Sequence, residues 1–355
     1  MMRAMQGSGL QTAQVGLRGP GTMKAWAVTA PGPMGSRPLR LVDRAVPVPG
    51  PGEVRVKVSV CGVCRTDLHL AEGDLVPHRP GTVPGHEVVG LVDELGPGCR
   101  RLHGGERVGA AWLAATCGEC RFCLQQKENL CLAPRFTGWD IDGGFAEYVV
   151  VREDFVYLLP DSFDDVAAAP LLCAGIIGYR ALLRAKLPVG GRLGIYGFGA
   201  SAHLTAQVAI AQGATVHVLT RSAEDKSLAR ELGAASVAGA FDEPPEPLDS
   251  AILFAPVGTL VPVALAALDR GGTLAVAGIH LSDIPALNYQ EHLFQERSVC
   301  SVTANTRSDG EELLALADEI GLRPTTTLYP FEAVDQALSD LANDRFNGAA
   351  VVRVA

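Results

Sequence analysis

Between residues 191 and 279 the chain alternates short apolar strands with helical stretches, and this alternation constrains its fold more than any other feature. "GRLGIYGFGA" reads as strand and turn, "SAHLTAQVAIAQG" as helix, "ATVHVLT" as strand and "AEDKSLARELG" as helix. "LDSAILFA", "LVPVALAALDRGG" and "TLAVAGI" continue the series as strand, helix and strand. Strand and helix in strict alternation imply a parallel sheet with right-handed crossovers, an α/β architecture. The first strand of the series runs into Gly197-x-Gly199-x-x-Ala202 and then a helix. The first glycine allows a tight turn, the second lets the backbone approach a pyrophosphate, and Ala still fits the third position where helix meets strand. The helix N-terminus then faces the phosphates with its partial positive charge. A dinucleotide is the expected ligand.

The end of the next strand selects between dinucleotides. A carboxylate there hydrogen-bonds the ribose 2′-OH of NAD and repels a 2′-phosphate. This chain carries Thr220, Arg221 and Ser222 instead. An arginine and two hydroxyls suit a 2′-phosphate, so NADP(H) is expected over NAD(H).

The rest of the chain reads differently. Residues 23–160 are β-rich and punctuated by Gly and Pro; "EVRVKVSV" (53–60) alternates polar and apolar residues as a half-buried strand does. "HEVVGLVDEL" (86–95) and "FAEYVVV" (145–151) are further strands. "DDVAAAPLLCAGIIGYRALLRA" reads as an Ala-rich helix, "EELLALADEIGL" and "FEAVDQALSDLAND" as amphipathic helices, and "GAAVVRVA" as a closing strand. Residues 251–268 hold no charge, but Pro256, Gly258 and Pro262 divide them into a buried strand, a turn and a helix start, not a bilayer span. The 355 residues suffice for two domains. A net charge of -9 argues against nucleic acid or an anionic membrane as the main partner. The first 22 residues lack an apolar segment of the secretory kind and are expected to form a disordered extension. A cytoplasmic location follows as the expectation.

Four of the nine cysteines fall in "CGECRFCLQQKENLC", residues 117–131. The spacing Cys117-x2-Cys120-x2-Cys123-x7-Cys131 lets four thiolates converge on one Zn2+, a closed and hence structural site. Two disulfides are the alternative, but they need an oxidising compartment that nothing in the sequence indicates. Chemistry must then be carried elsewhere. "SVCGVCRTDLHL" supplies Cys64, Arg65, Thr66, Asp67 and His69; "GTVPGHEVVG" supplies His86 and Glu87; "APLLCAGIIGY" supplies Cys173. None of these segments proves a site alone.

Taken in order, from the Cys-x-x-Cys-Arg-Thr-Asp-x-His segment through Gly-His-Glu, the four-cysteine loop, the later cysteine and the glycine loop, they resemble the zinc-dependent medium-chain alcohol dehydrogenases. The resemblance runs from about Met23 to the C-terminus. "DIDGGFAEY" and "SVTANTR" are further similar to the bacterial branch near the propanol-preferring and cinnamyl-type enzymes. The resemblance implies a GroES-like β-rich catalytic domain (23–173 and 304–355) and a doubly wound Rossmann domain (174–303). It implies a second, catalytic zinc held by Cys64, His86 and Cys173, with the fourth position open to water or substrate and Glu87 beside the metal. Asp67 would orient His86, and Arg65 would touch the cofactor pyrophosphate. Hydride would pass between an alcohol and the nicotinamide, and the alcohol's proton would leave through Thr66, the cofactor ribose and His69. Trp112 and Trp139 are candidate walls of an apolar pocket for a small alcohol or aldehyde, with a core role equally open for Trp139. A homodimer or homotetramer is implied.

Other functions fit less well. Polyol and formaldehyde dehydrogenases belong to the same superfamily, but polyol relatives often lose the four cysteines kept here. Quinone-reductase relatives lack both zinc sites. A zinc finger for nucleic acid or protein conflicts with the acidic balance. A catalytically dead zinc- and nucleotide-binding protein conflicts with the intact Cys64, His86, Cys173, Thr66 and His69 set.

Overall fold

The computed structural model describes residues 21–278 and 280–355. The expected disordered extension therefore lies outside the described residues except at its end, where Thr22 already opens the first strand, Thr22–Val28.

Two sheets organise the chain. The first is six-stranded and wholly parallel. Its order is Ser236–Ala238, Thr215–Leu219, Arg192–Tyr196, Leu248–Leu253, Leu268–Val276 and Ser298–Ser301. Counted in chain order this is 3-2-1-4-5-6, the doubly wound arrangement in which a dinucleotide binds across the carboxyl ends of the strands. The strands are continuous apolar runs because helices cover both faces: Leu193, Ile195 and Tyr196 are fully buried, as are Ala251, Ile252 and Leu253. The uncharged stretch 251–268 resolves into the strand Leu248–Leu253 and the helix Leu260–Ala266, as its prolines require. Among the described residues no single helix is long and apolar enough to cross a membrane.

The second sheet is seven-stranded and built around Glu53–Val63. Val54, Val56, Val58 and Val60 of this strand point into the core while Arg55 and Lys57 point away, the period-2 pattern read from the sequence. One long side pairs antiparallel with Glu87–Leu95. The other pairs first with Tyr148–Arg152 and then, over Val60–Val63, with Ala350–Arg353 of the closing strand. The chain end thus clamps the strand segment that leads directly into Cys64. Burial becomes continuous over Val60–Val63, where the strand leaves the surface and enters the junction between the sheets. One apolar cluster spans that junction, joining Val60, Val89 and Tyr157 to Ile176, Leu193 and Ile195.

Two elements depart from the periodicity reading. The helix expected over "LVPVALAALDRGG" ends at Ala266, and its last five residues already belong to the strand Leu268–Val276. The expected helix over "DDVAAAPLLCAGIIGYRALLRA" is three pieces: Asp165–Ala168, a 3-10 turn Ala169–Leu172, and Ala174–Ala185. The break falls at Cys173 (φ −131°, ψ −69°), and the axes meet at 42°. Pro170 lacks the N–H that a continuous helix needs there, so the first turn tightens and the chain redirects.

Candidate active site

At the junction of the sheets three segments converge. The strand Glu53–Val63 ends at Cys64, which also caps the helix Arg65–Glu72; Glu87 opens its strand with His86 just before it; and Cys173 sits in the helix break. Cys64 Sγ and Cys173 Sγ lie 3.8 Å apart, and His86 Nε2 lies 3.3 Å from Cys173 Sγ. Sulfurs at roughly 2.3 Å from a tetrahedral ion stand about 3.8 Å apart, so the residues present fit a zinc ion. Glu87 completes the group, with one ligand atom from each of the four residues within 4.8 Å of the others. Its Oε2 is buried without a hydrogen-bond partner, an orphaned polar atom that a cation would satisfy. Gly62 makes this possible, because a Cβ there would overlap the Glu87 side chain.

Asp67 organises the cluster. Its Oδ2 accepts the Cys64 N–H (2.9 Å), the helix-capping contact, and its Oδ1 accepts the Gly85 N–H (2.9 Å). The same Oδ1 lies 3.1 Å from His86 Nδ1, so Nδ1 carries the proton and Nε2 keeps its lone pair for a metal. Titration follows this crowding. The Cys173 thiol hydrogen-bonded to Cys64 holds Cys64 well below the usual thiol range, and the same bond holds Cys173 well above it. Burial, reinforced by the Cys64 thiolate, raises Glu87. Burial opposes charging His86, yet the neighbouring Asp67 carboxylate raises it.

The four-cysteine loop forms a second group. All nine cysteines are free, so the disulfide alternative does not hold. Sγ separations are 3.5 Å (Cys120–Cys123), 3.5 Å (Cys131–Cys117), 3.9 Å (Cys117–Cys123) and 4.0 Å (Cys120–Cys131), again matching about 3.8 Å around one tetrahedral ion. Backbone N–H groups of Cys117 and Ala133 point at Cys131 Sγ, and that of Cys120 at Cys117 Sγ. The loop is fixed to the rest of the molecule by Glu128, which pairs with Arg307 (2.9 Å), and by Asn129 Nδ2, which donates to Thr303 O (2.8 Å).

The glycine loop lies at the carboxyl end of the Arg192–Tyr196 strand. Gly197 has φ +86°, and a Cβ on it would press on Ala255, so both conformation and space demand glycine. Nothing lies within 4 Å of a Cβ built on Gly199, which leaves the approach to the N-terminus of Ala200–Ala211 open; Ala202 is buried beneath it. At the end of the next strand Thr220 is buried, Arg221 is exposed, and Ser222 caps the helix Ala223–Glu231. Both hydroxyls are engaged by Asp225: Thr220 Oγ1 donates to its carboxylate (3.0 Å), and its N–H donates to Ser222 Oγ (2.9 Å). An acid therefore stands at the corner where sequence reading found none, placed there by the first turn of the helix. Burial raises its pKa, and Asp344 and Glu224 add to the rise. Arg65 Nη2 reaches across to Asp344 Oδ1 at 2.6 Å.

Beside the Cys64–His86–Cys173 group, Thr66 Oγ1 lies 3.8 Å from Cys64 Sγ, and His69 Nδ1 lies 3.0 Å from Asp74 Oδ2. Trp112 meets His86 edge-on, 5.0 Å between ring centroids. Trp112, Phe136 and Trp139 stack within 21° of parallel at 4.8–6.1 Å, and His78 extends the stack over Trp139 at 4.2 Å. The two tryptophans are thus brought together on a half-buried aromatic face, and Trp139 also packs against the apolar core of the second sheet. Phe136 and His78 join that face without any sequence signal, since only the tertiary fold brings them near.

Comparison with known proteins agrees with this geometry. Residues 50–161 match the alcohol dehydrogenase GroES-like domain, and residues 202–319 match the zinc-binding dehydrogenase family. The chain belongs to the zinc-dependent medium-chain alcohol dehydrogenase family. It is similar to a probable alcohol dehydrogenase AdhA of Mycobacterium tuberculosis (strain CDC 1551 / Oshkosh), with 57% identity over 94% of this chain and 98% of the relative. Among solved structures it is similar to cinnamyl alcohol dehydrogenase SbCAD4 from Sorghum bicolor, with TM-score 0.85, 27% identity, and coverage of 94% and 97%. Acetophenone reductase from Geotrichum candidum NBRC 4597, solved in complex with NAD, gives TM-score 0.85 and 25% identity, with coverage of 95% and 98%.

Proposed function

We propose that this protein interconverts apolar alcohols and aldehydes or ketones, with aromatic primary alcohols the favoured class, by hydride exchange with a nicotinamide cofactor. The observation that carries the reading is the convergence of Cys64 Sγ, His86 Nε2 and Cys173 Sγ at zinc-ligand spacing beside the Thr66 hydroxyl. In this reading Cys64, His86 and Cys173 would hold a catalytic zinc, which would supply Lewis acidity toward an alcohol or carbonyl oxygen, and the nicotinamide would supply hydride chemistry. The protein's own residues do the rest. Asp67 keeps the His86 proton on Nδ1. Glu87 would offer a buried carboxylate to the same ion. The Thr66 hydroxyl accepts a proton from the alcohol and donates its own onward, and His69, backed by Asp74, receives it. Trp112, Phe136 and Trp139 offer a flat apolar wall reaching to His86, which suits a planar ring and excludes water. That wall favours the cinnamyl-type reading over a polyol substrate, which would need polar partners.

Gly197, Gly199 and Ala202 would cradle the pyrophosphate, with Arg65 leaving Asp344 to meet it. NADP(H) preference rests on Arg221 and on the absence of an acid at Thr220 itself. Asp225 opposes it, and the balance sets the cofactor ratio. The four-cysteine loop would hold a second, structural zinc. Nine free thiols suit a reducing compartment such as the cytoplasm. The half-exposed edge strand Ser298–Ser301, with Val299, supports pairing into a homodimer or homotetramer. The function is tested by initial rates of reduction of one aromatic aldehyde by zinc-replete protein with NADPH and with NADH. Turnover with a preference for NADPH supports the whole reading. A preference for NADH leaves the reaction and removes the role given to Arg221. Absence of turnover with aromatic, aliphatic and ketone substrates contradicts the enzyme reading.

A further inference from the structure

The nucleotide-binding half contributes one imidazole to this cleft that the proton path above does not use. His280 follows the strand Leu268–Val276 at the carboxyl end of the parallel sheet, the end where a dinucleotide lies. Its ring centroid is 4.2 Å from that of His69, with the planes 49° apart. The contact crosses from one half of the molecule to the other, because His69 belongs to the helix Arg65–Glu72. The His280 backbone has φ +56°. A non-glycine residue enters this left-handed region at a steric cost, and such residues cluster at active sites and ligand clamps.

His69 needs aiming. Asp74 Oδ2 holds its Nδ1 at 3.0 Å, which leaves Nε2 as the nitrogen able to take up a proton. Asp74 is itself exposed, and one hydrogen bond at the ring edge still lets the imidazole swing about that contact. A second ring tilted against it at 4.2 Å limits the swing. Asp74, beyond the carboxyl end of the helix, and His280, from the facing loop, are the titratable groups found in hydrogen-bond or ring contact with His69 among the described residues.

We propose that His280 is a positioning residue for His69: its ring, presented from the nucleotide half, fixes the His69 imidazole with Nε2 in the orientation that receives the alcohol's proton. The proposal rests on the reading of His69 as the last protein group of the proton path.

The test uses His280→Asn, since asparagine accepts a left-handed backbone and removes the ring. Alcohol-oxidation kcat and KM are measured for wild type, His280→Asn, His69→Gln and the double variant, all zinc-loaded and with thermal midpoints recorded. The expected result is a fall in kcat of about three- to tenfold in His280→Asn, with the alcohol KM within about twofold. In the His69→Gln background the same change should alter kcat by less than about 1.5-fold, because a residue acting through His69 has nothing left to act on. An equal loss in both backgrounds, or no loss in either, overturns the proposal. Full kcat in His69→Gln alone overturns the proton-path reading, and the proposal falls with it for that separate reason. A second readout needs no turnover. In protein with 13C-labelled histidine, the His69 Cε1–H resonance, assigned by its loss in His69→Gln, should shift in His280→Asn as the neighbouring ring current disappears. An unmoved resonance overturns the contact itself. If the Asn variant does not fold, His280→Gly accepts the same φ and takes its place.

Discussion

Asp67 is the residue on which the proposed catalytic centre turns, because one carboxylate closes the helix cap, holds Gly85 and fixes the His86 tautomer. Outer partners of metal-binding histidines are commonly worth 10–100-fold in metal affinity. Asp67→Ala is therefore expected to weaken zinc at the Cys64 centre by roughly that factor, read by competition with a chromogenic chelator. Retention of wild-type affinity would mean that Asp67 serves only the helix cap. The nucleotide corner turns on Asp225. Like charges about 4 Å apart in water cost about 1 kcal/mol, so Asp225→Asn should improve kcat/KM for NADP(H) relative to NAD(H) by about fivefold. An unchanged ratio would place the Asp225 carboxylate out of reach of the ribose. The Asp67–His86 contact was already implied by the family resemblance, whereas the acid at the nucleotide corner was not legible. Thr220, Arg221 and Ser222 could be read because they follow a strand directly, whereas Asp225 reaches the same corner only through the first turn of the next helix.

At the scale of elements, four of the six strands of the parallel sheet follow from the alternation alone, and so does the Glu53–Val63 strand, whereas the short edge strands Ser236–Ala238 and Ser298–Ser301 carry no such signal. The break at Cys173 carries none either. Its segment is helical in composition apart from Pro170, and the 42° turn sets its cysteine opposite Cys64 and His86, residues 109 and 87 positions away. Four cysteines within one loop advertise a metal site by spacing, but ligands scattered over three segments do not; family resemblance, not periodicity, brought them together. Another element contact carries a pH dependence. His203, in the first turn of the helix Ala200–Ala211, accepts the Thr325 N–H at Nε2 (3.1 Å), and its Nδ1 faces Gly199 O (3.3 Å), which joins the nucleotide helix to the segment before Thr326–Pro330. Burial lowers its pKa to about 4. The unfolded chain takes up this proton near pH 6.5 and the folded chain only near 4, so the contribution is complete above about 6.5, declines as pH falls between those values, and is constant below. The span corresponds to a contribution on the order of 3 kcal/mol. Denaturant unfolding of His203→Gln, whose side-chain oxygen can still accept the Thr325 N–H, should show a shallower loss of stability from pH 6.5 to 4.5 than wild type. Identical slopes would contradict the burial of a neutral His203.

At the scale of the whole molecule, the two sheets share one apolar junction, and the proposed chemistry sits in it. The strand leading to Cys64, the break at Cys173 and the closing strand that clamps Val60–Val63 all meet there. The four-cysteine loop stands apart and is tied back through Glu128 and Arg307, which suits a brace and not a reactive centre. Loss of a structural metal commonly removes a few kcal/mol. Cys120→Ser should therefore lower the thermal midpoint by roughly 5–10 °C while leaving zinc at the Cys64 centre. An unchanged midpoint would contradict a bracing role. The division of labour between the two cysteine groups is tested most directly by the turnover of Cys64→Ser in alcohol oxidation, measured with its zinc content. One zinc per chain in place of two, an unchanged fold, and turnover reduced by about 10³-fold or more are expected. A variant that keeps full turnover would contradict the assignment of the chemistry to Cys64, His86 and Cys173.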